Sequence, residues 1–371
     1  MKIAGVETIP VEVPIHPHRA IHGALGAHTV SRFLLVRIRT DEGITGLGEV
    51  SATPVWSGED HVTAAHFIDD YFAPLLDGKD PESIDPSSHE INRAVAGNYF
   101  TKAALEMALW DIRGKIAGLP LYQVFGGRVR DFVPTKFSVS GLEPAKAAEL
   151  AAWAVEQGFR AMKVKVGMAP ETDIARVRAV REAIGPAVRL GVDANGGWPV
   201  DVAVETIRRM REYDIFFAEQ PVAPRDLAGM AEVTRSLDLP VIADESVFTL
   251  ADALAVIREN AADVISVYVG KGGGIATARK IAAAAEAAGL TSTVGSNLEM
   301  GVASAAMIHL AMATRGIGAE DFPCDILSPF FYTDDLLREP LAIGAGEARP
   351  PERPGLGVEL DDEKVARYRV R

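Results

Sequence analysis

Residues 161–167 read AMKVKVG, and similar apolar runs that end in polar residues follow at 189–197 (RLGVDANGG), 215–221 (IFFAEQP) and 240–246 (PVIADES). Each run has the length of a strand, and amphipathic or alanine-rich helical patterns fill the intervals. The same rhythm continues on both sides, at KFSVSG (136–141), VISVYVGK (264–271), TSTVGSN (291–297) and DFPCDIL (321–327). This alternation predicts an α/β architecture with a parallel sheet.

The spacing of the polar residues that close these strands indicates a barrel. Successive positions lie 25 to 28 residues apart, which corresponds to one βα unit per step. Eight such units favour a (β/α)₈-type barrel over an open sheet. The positions are Ser138, Lys165, Asp193, Glu219, Asp244, Lys271, Asn297 and Asp325.

Three consecutive strands end in carboxylates, at Asp193, Glu219 and Asp244. Clustered at one end of a barrel, they would repel each other strongly unless a cation lay between them. Oxygen ligands favour Mg²⁺, with Mn²⁺ as the alternative, so we expect these acids to hold such a metal. A single acid at a strand end is better explained as a helix cap or an ion-pair partner, and only the consecutive set indicates a metal.

The lysines of the same set predict the chemistry. Lys163 and Lys165 share one face of their strand, because alternate residues of a strand point the same way. Lys165 lies nearer the strand end and is the predicted base, since Lys163 and the metal should depress its pKa towards neutrality. Lys271 ends a strand across the barrel, so we expect it to approach the opposite face of the substrate carbon. A metal on the substrate carboxylate would stabilise the enediolate that forms when the α-proton leaves.

The first 120 or so residues follow a different, α+β pattern. Strands are predicted at 2–13, 32–40 and 45–50, with Asp41-Glu42-Gly43 as the turn of a hairpin, and helices at 59–76 and 100–118. Two stretches without periodicity, 14–32 and 51–58, are loops long enough to cover a substrate.

Several further residues are candidate substrate contacts, although each has a plainer explanation. Trp56 of the second loop either packs on the substrate or makes a contact between lid and barrel. Asn195 either supports the site or caps its helix, and Glu299 either lines the site or begins the following helix. The histidines of residues 16–28 are ligands or solvated loop residues. The predicted substrate contacts are Trp56, Ser138, Asn195, Asn297 and Asp325.

Composition excludes several classes of function. The chain has 371 residues and a formal charge of −13, which argues against nucleic acid as a partner. The start shows no signal-peptide pattern and no run of about 20 apolar residues occurs, so we expect a cytoplasmic protein that does not contact membranes. The single cysteine, Cys324, excludes an internal disulfide and suits a reducing compartment.

KVK on the second strand, Asp–Glu–Asp on the third to fifth and KGGGI on the sixth resemble the enolase superfamily, and within it the muconate lactonizing enzyme subgroup. The resemblance implies an α+β capping domain over residues 1–125 and a modified TIM barrel, (β/α)₇β, over 126–328. A C-terminal segment, 329–371, would return to the cap. It also implies Mg²⁺ as the cofactor, a small carboxylate as the substrate and a homo-oligomeric assembly.

Two departures bear on the reaction. No histidine ends the seventh strand, which argues against the mandelate racemase branch. Dipeptide epimerases show Asp-x-Asp at the last strand, whereas Leu327 stands here in place of the second acid. Muconate enzymes have Glu where Asp325 stands. The resemblance therefore puts a muconate-lactonizing-type cycloisomerase first. The alternatives are a racemase or epimerase of an amino-acid derivative or proline betaine, a dehydratase, and a non-catalytic scaffold barrel.

Overall fold

The computed structural model describes residues 1–370. The cap begins with a three-stranded antiparallel sheet in the order β1–β4–β5. Its strands are β1 (Ile3–Pro14), β4 (Val30–Thr40) and β5 (Thr45–Val50). The β4–β5 turn passes through Gly43, whose positive φ of 84° suits a residue without a side chain. The predicted hairpin and all three predicted strands are confirmed.

The cap helices pack on this sheet through small residues. The cap helix over Tyr99–Ala117 contacts β5 so closely that a Cβ at Gly46 or Gly48 would lie about 2 Å from a carbonyl oxygen of that helix. Glycine is therefore required in TGLGEV for the helix to reach the sheet. The cap helices are α1 (Pro54–Ser57), α2 (His61–Phe67), α3 (Ala73–Leu76), α4 (Ile84–Ala94), α5 (Tyr99–Ala117) and α6 (Leu121–Val124). A π-helical turn over Ile68–Phe72 joins α2 to α3.

The rest of the chain forms the predicted barrel. Seven parallel strands hydrogen-bond in sequence order and are connected by helices. The strands are β7 (Phe137–Val139), β8 (Ala161–Lys165), β9 (Arg189–Asp193), β10 (Ile215–Glu219), β11 (Val241–Ala243), β12 (Val264–Val267) and β13 (Thr291–Val294). The helices are α7 (Pro144–Gln157), α8 (Pro170–Ile184), α9 (Val200–Met210), α10 (Leu227–Ser236), α11 (Leu250–Glu259), α12 (Ile275–Ala287) and α13 (Gly301–Ala313).

The segment around Cys324 closes the gap between β13 and β7. The Cys324 amide donates to the Pro134 carbonyl at 2.8 Å, and the Lys136 amide donates to the Cys324 carbonyl at 3.0 Å. On the other side, the Asp325 amide donates to the Val294 carbonyl at 2.8 Å. This segment is the closing strand of the barrel: it forms a single bridge, to Thr135, and is followed directly by a short helix, α14 (Ser328–Phe331). The (β/α)₇β architecture is therefore confirmed, and Asp325 belongs to the closing strand.

The long loop 14–32 is more regular than its sequence predicts. It contains a small hairpin, β2 (Ile21–Gly23) paired with β3 (Gly26–His28), which lies over the carboxyl end of the barrel. The His22 amide donates to Ser140 Oγ, and the Gly141 amide donates to the His22 carbonyl, each at 2.8 Å. The expectation of an irregular loop was wrong here, because these contacts with distant residues supply the order that local periodicity lacks.

After the barrel the chain returns to the cap. The short strand Ile343–Gly344 pairs with Glu347–Ala348, which in turn pairs with β6 (Val133–Pro134). A last helix covers Asp362–Tyr368. The Val370 amide then donates to the Pro10 carbonyl of β1 at 3.0 Å. Within residues 1–370, no helix combines the length and apolar character needed to cross a bilayer.

Two buried glutamates of the cap bind the barrel at helix N-termini. Glu49 of β5 accepts from the Met300 and Ala303 amides of α13 at 2.7 and 3.0 Å. Glu106 of α5 accepts from the amides of Ile275 and Ala276, the first residues of α12, at 2.7 and 2.9 Å. The positive end of a helix dipole stabilises such a carboxylate. Burial nevertheless raises the pKa of each acid to about 7.

The raised pKa of Glu106 predicts that stability falls as pH rises. A folded-state pKa of about 7 against an ordinary value of 4.5 means that the folded protein binds the extra proton between these values. The stabilisation is complete below about pH 4.5 and is lost by about pH 7, a change of about 3 kcal/mol. In Glu106→Gln this loss should disappear from unfolding free energies measured by urea titration between pH 5 and 8. The control Glu149→Gln, at an exposed position, should leave the pH dependence of the unfolding free energy unchanged. The same pH dependence in Glu106→Gln as in wild type would show that Glu106 is not its source.

Candidate active site

Lys165 lies at the carboxyl end of β8, directly opposite Asp193 of β9. Its Nζ donates to Asp193 Oδ2 at 2.7 Å and to Asn195 Oδ1 at 2.9 Å. The lysine side chain is 12% exposed and lines a cavity between the barrel end and the cap. Burial alone would raise the pKa of Asp193, but the ammonium groups of Lys165 and Lys163 outweigh it and hold that pKa below its ordinary value. The predicted base is thus paired and still open to the cavity.

Lys163 is the centre of a buried charge network. Its Nζ lies 2.8 Å from Glu219 Oε1, 3.0 Å from Asp325 Oδ2 and 3.1 Å from Asp193 Oδ2. Burial opposes the charged form of this lysine, but the three carboxylates outweigh it and raise its pKa well above the ordinary value. The three carboxylates therefore favour the charged form of Lys163 beside Lys165.

Lys271 lies beyond the end of its strand, whereas the sequence predicted it as the last residue of that strand. Strand β12 ends at Val267, and the lysine follows in a glycine-rich turn instead of ending the strand. Its Nζ reaches back to the Asp244 carbonyl, Asp244 Oδ1 and the Ser266 carbonyl, at 2.7, 2.6 and 2.9 Å. The ammonium also lies 4.3 Å from the centre of the Tyr268 ring. Lys271 is fully buried, and Asp244 rather than Lys271 forms the cavity wall.

The three predicted metal ligands gather at this barrel end, each within contact of a lysine. Asp193, Glu219 and Asp244 are all at most 1% exposed. Within residues 1–370, no three acidic, histidine or cysteine side chains lie close enough together to hold a metal ion as they stand. Each of the three acids instead contacts a lysine: Lys163, Lys165 or Lys271. Glu219 Oε2 has no hydrogen-bond partner among the described residues. Burial raises the pKa of Glu219 to about 8, Lys163 partly offsets this rise, and Asp193 and Asp244 add to it.

These observations fit a divalent cation. The donors are all carboxylate oxygens, which hard cations prefer, and one of them is buried without a partner. A cation beside Glu219 would favour its charged form and relieve the repulsion that raises its pKa. The residues that would hold the metal are Asp193, Glu219 and Asp244.

Asn195, Glu245 and Trp56 form a chain that connects the barrel to the cap. Asn195 Nδ2 donates to Glu245 Oε1 at 2.7 Å, and Trp56 Nε1 donates to the same oxygen at 3.0 Å. The Trp56 ring stacks on Tyr268, with the ring centres 5.5 Å apart. Glu245 is buried and does not line the cavity, as its opposite strand parity predicts. Trp56 and Asn195 do line it, so both stay candidate substrate contacts.

The other predicted contacts are also brought to the cavity. Ser138, Asn297 and Asp325 line it. Asp325 Oδ1, like Glu219 Oε2 and Glu245 Oε2, is a buried carboxylate oxygen without a hydrogen-bond partner among residues 1–370. Glu299 accepts from the Asn297 amide at 3.1 Å and shapes the loop that carries that residue, outside the cavity wall. Of the loop histidines only His28 lines the cavity. Its Nε2 lies 2.6 Å from Ser31 Oγ, and Ser31 Oγ lies 2.8 Å from Tyr332 Oη.

Lys136 is a site residue that the sequence analysis missed. It is 1% exposed at the base of β7, with its Nζ 3.2 Å from Asp325 Oδ2 and 2.6 Å from the Pro323 carbonyl. The signal was its parity, because Lys136 and Ser138 are alternate residues of one strand and so share a face. Lys136 holds both the side chain and the backbone of the closing strand.

Lys136→Met should destabilise the protein by about 3 kcal/mol, because one cation of a buried pair is lost and Asp325 retains only Lys163. The measurement is the free energy of unfolding in urea at pH 7. Replacing both partners, in Lys136→Met/Asp325→Leu, should recover most of the loss, since no carboxylate is then left short of charge. A double variant as unstable as Lys136→Met would show that the lost charge is not the cause.

Known protein families match both the cap and the barrel of this chain. Residues 3–126 match the family described as mandelate racemase / muconate lactonizing enzyme, N-terminal domain, and residues 146–365 match the family described as enolase C-terminal domain-like. L-Ala-D/L-Glu epimerase of Bacillus subtilis is 37% identical over 361 residues, which cover 96% of this chain and 97% of that protein. Muconate cycloisomerase 1 of Rhodococcus opacus is 34% identical over 370 residues, 98% of each chain.

A solved structure of a relative has nearly the same fold as this chain. The dipeptide epimerase from Cytophaga hutchinsonii, complexed with Mg and the dipeptide D-Ala-L-Val, has a TM-score of 0.94 and 32% identity. The match covers 99% of this chain and 98% of that one. The chain therefore belongs to the mandelate racemase/muconate lactonizing enzyme family and is an isomerase of the enolase superfamily.

Proposed function

We propose that this isomerase racemises or epimerises an N-substituted amino acid, with Lys165 as the base that removes the α-proton. The observation that carries the proposal is the buried Asp325 Oδ1: Asp325 lines the cavity, and this oxygen has no hydrogen-bond partner among residues 1–370. An unpaired buried acceptor is costly, and an amino-acid derivative supplies the missing N–H donor. A substrate without a donor would leave that cost in place.

Mg²⁺ held by Asp193, Glu219 and Asp244 would supply the positive charge that stabilises the enediolate at the substrate carboxylate. This part of the proposal is supported by the donor set and by the magnesium named with the dipeptide epimerase of Cytophaga hutchinsonii. Mn²⁺ is the expected substitute. A homo-oligomeric assembly and a cytoplasmic location stay predictions.

The residues of the chain divide the remaining work. Lys165 Nζ faces the cavity and takes the α-proton, while Asn195 and Asp193 hold the amine in place. Lys163 keeps its proton and adds a fixed positive charge beside the developing anion. In a two-base reaction Lys271 would return a proton to the opposite face, which requires its Nζ to leave Asp244 and reach the cavity.

A muconate-type cycloisomerase, which the family resemblance puts first, is the second candidate. Ring closure to a lactone needs only one acid or base. Lys165 lines the cavity, whereas Lys271 does not line it and is held by three acceptors. The dehydratase alternative would use the same lysine and a leaving group on the β-carbon.

Solvent exchange distinguishes these reactions. The protein is incubated with Mg²⁺ in D₂O with N-acyl amino acids, dipeptides, proline betaine and muconates, and α-deuteration is read by mass spectrometry. Deuteration with inversion at the α-carbon is the expected result. Lactone formation from muconate without exchange into any amino-acid derivative would replace the proposal by the second candidate.

A further inference from the structure

The wall that the cap contributes to the cavity is mostly apolar, with His28 and Thr53 as its polar side chains. It includes Ile21, Leu25 and Ala27 of the hairpin formed by β2 and β3, and Val55 and Trp56 of α1. Leu25 and Val55 are 39% and 65% exposed, and both stand where the two loops meet over the cavity. Large apolar side chains left exposed at the rim of a cavity gain free energy when an apolar ligand covers them.

The barrel adds two further apolar residues to this wall. Leu327 follows Asp325 on the closing strand, and Leu298 lies in the loop after β13. Leu298 adopts a positive φ of 60°, a conformation that costs a non-glycine residue about 1 kcal/mol or more. Its carbonyl is held there by Tyr332 Oη at 2.6 Å. The fold thus places a leucine on this wall at some energetic cost.

The two lysines on the cavity wall, Lys163 and Lys165, lie at the barrel end. The third basic side chain, His28, belongs to the hairpin of the cap. Both lysines are paired with carboxylates. Burial lowers the pKa of His28, and both of its ring nitrogens lie near hydroxyl groups, of Ser31 and Thr53. The cap therefore contributes no charged group to the wall.

We propose that this isomerase selects substrates whose part remote from the reacting carboxylate is apolar and uncharged. The inference rests on the proposed function for the position of that carboxylate, at Lys165 and the three acids. A second carboxylate under Leu25, Val55 and Leu298 would lose water and would find no lysine or arginine on this part of the wall, which is strongly unfavourable. An alkyl or aromatic group at the same place would bury apolar surface on both sides.

Matched ligand pairs test the proposal. N-acetyl-L-norvaline and N-acetyl-L-glutamate differ only by a terminal methyl against a carboxylate, and N-butanoyl-L-alanine and N-succinyl-L-alanine differ in the same way on the acyl side. Binding to the full-length protein with Mg²⁺ is measured by calorimetry. The apolar member of at least one pair should bind about 30-fold more tightly, or better. Equal affinities, tighter binding of the acidic members, or binding of neither member at millimolar concentration would overturn the proposal.

A charge introduced at the rim should reverse the preference. Leu25→Arg places a cation on an exposed position of the hairpin and should improve binding of the acidic ligands at least tenfold relative to wild type. The control Leu25→Gln should weaken the apolar ligands without improving the acidic ones. An unchanged preference in Leu25→Arg would overturn the placement of the remote group under the hairpin.

Arg225 is the competing cation. It lines a neighbouring groove that shares Leu25, Val55 and Trp56 with the cavity. Tight binding of N-succinyl-L-alanine that is lost in Arg225→Gln would show that a remote carboxylate reaches this groove, and would overturn the proposal.

Deuteration of the bound ligands in D₂O separates the two proposals. Apolar ligands that bind but never exchange their α-hydrogen would remove the proposed function and leave the selectivity standing. Acidic ligands that bind more tightly and exchange would do the opposite.

Discussion

Lys165→Met is expected to slow α-proton exchange by about 10²-fold to 10⁴-fold, because a positioned general base contributes about this much to a proton transfer. The fold should survive, since Asp193 retains Lys163 at 3.1 Å after the substitution. The measurement is the initial rate of α-deuteration in D₂O, compared at saturating substrate and Mg²⁺. Methionine keeps the length and bulk of the side chain and removes only the amine.

Lys271→Met is the matched control for this experiment. In a two-base racemase each lysine serves one enantiomer, so Lys271→Met should still exchange the α-hydrogen of the enantiomer whose proton faces Lys165. In a cycloisomerase the same variant should lose far less activity than Lys165→Met. If Lys165→Met exchanged both enantiomers at the wild-type rate, the assignment of the base would be wrong.

The residues of this site that the sequence predicted are those whose geometry follows from strand parity and spacing. Lys165 and Asp193 are 28 positions apart, and the register of β8 and β9 places them opposite each other. Alternation along one strand puts Lys163 on the same face as Lys165. Strand alternation is local and the spacing repeats once per βα unit, so both rules can be applied to a single sequence.

Lys271 shows where such rules fail. The apolar run VISVYVG predicts a strand that continues to the lysine, yet β12 ends at Val267. A Cβ at Gly270 would lie 2.4 Å from the Phe100 ring, so the chain turns where the cap helix α5 packs against it. That contact joins residues 170 positions apart, and nothing in the local pattern announces it.

Buried charge was hard to predict for the same reason. Lys136 looks like an ordinary polar residue before a strand, and its partner Asp325 lies 189 positions away. Within residues 1–370, Glu49 and Glu106 form no ion pair, and backbone N–H groups of barrel helices donate to them instead. A sequence shows complementary side chains but does not show which helix ends will meet a carboxylate.

Glu219→Gln is expected to weaken Mg²⁺ binding by about 100-fold or more and to reduce the exchange rate about 10³-fold at physiological Mg²⁺. The amide is nearly the same shape and still accepts from Lys163, which lies 2.8 Å from Oε1. Only the negative charge and the unpaired oxygen are removed. Mn²⁺ binding followed by electron paramagnetic resonance measures the loss directly.

Melting temperatures measured without and with Mg²⁺ show whether Glu219 is a metal ligand or a structural acid. The pKa of Glu219 is raised to about 8 in the folded chain, so stability from its bound proton is lost as pH rises from about 4.5 to 8. At pH 8 in EDTA, Glu219→Gln should therefore melt at the same temperature as wild type or higher. Adding Mg²⁺ should raise the melting temperature of wild type but not that of the variant.

Glu245→Gln is the control that makes this result specific. Glu245 is equally buried and lies next to Asp244 in the chain, and burial raises its pKa to about 7, with Asp244 and Asp193 adding to the rise. Its Oε1 receives Asn195 and Trp56, so it supports the cavity wall and is not among the proposed ligands. Glu245→Gln should keep the Mg²⁺-dependent rise in melting temperature. If it lost that rise while Glu219→Gln kept it, the ligand set would have to be Asp193, Asp244 and Glu245.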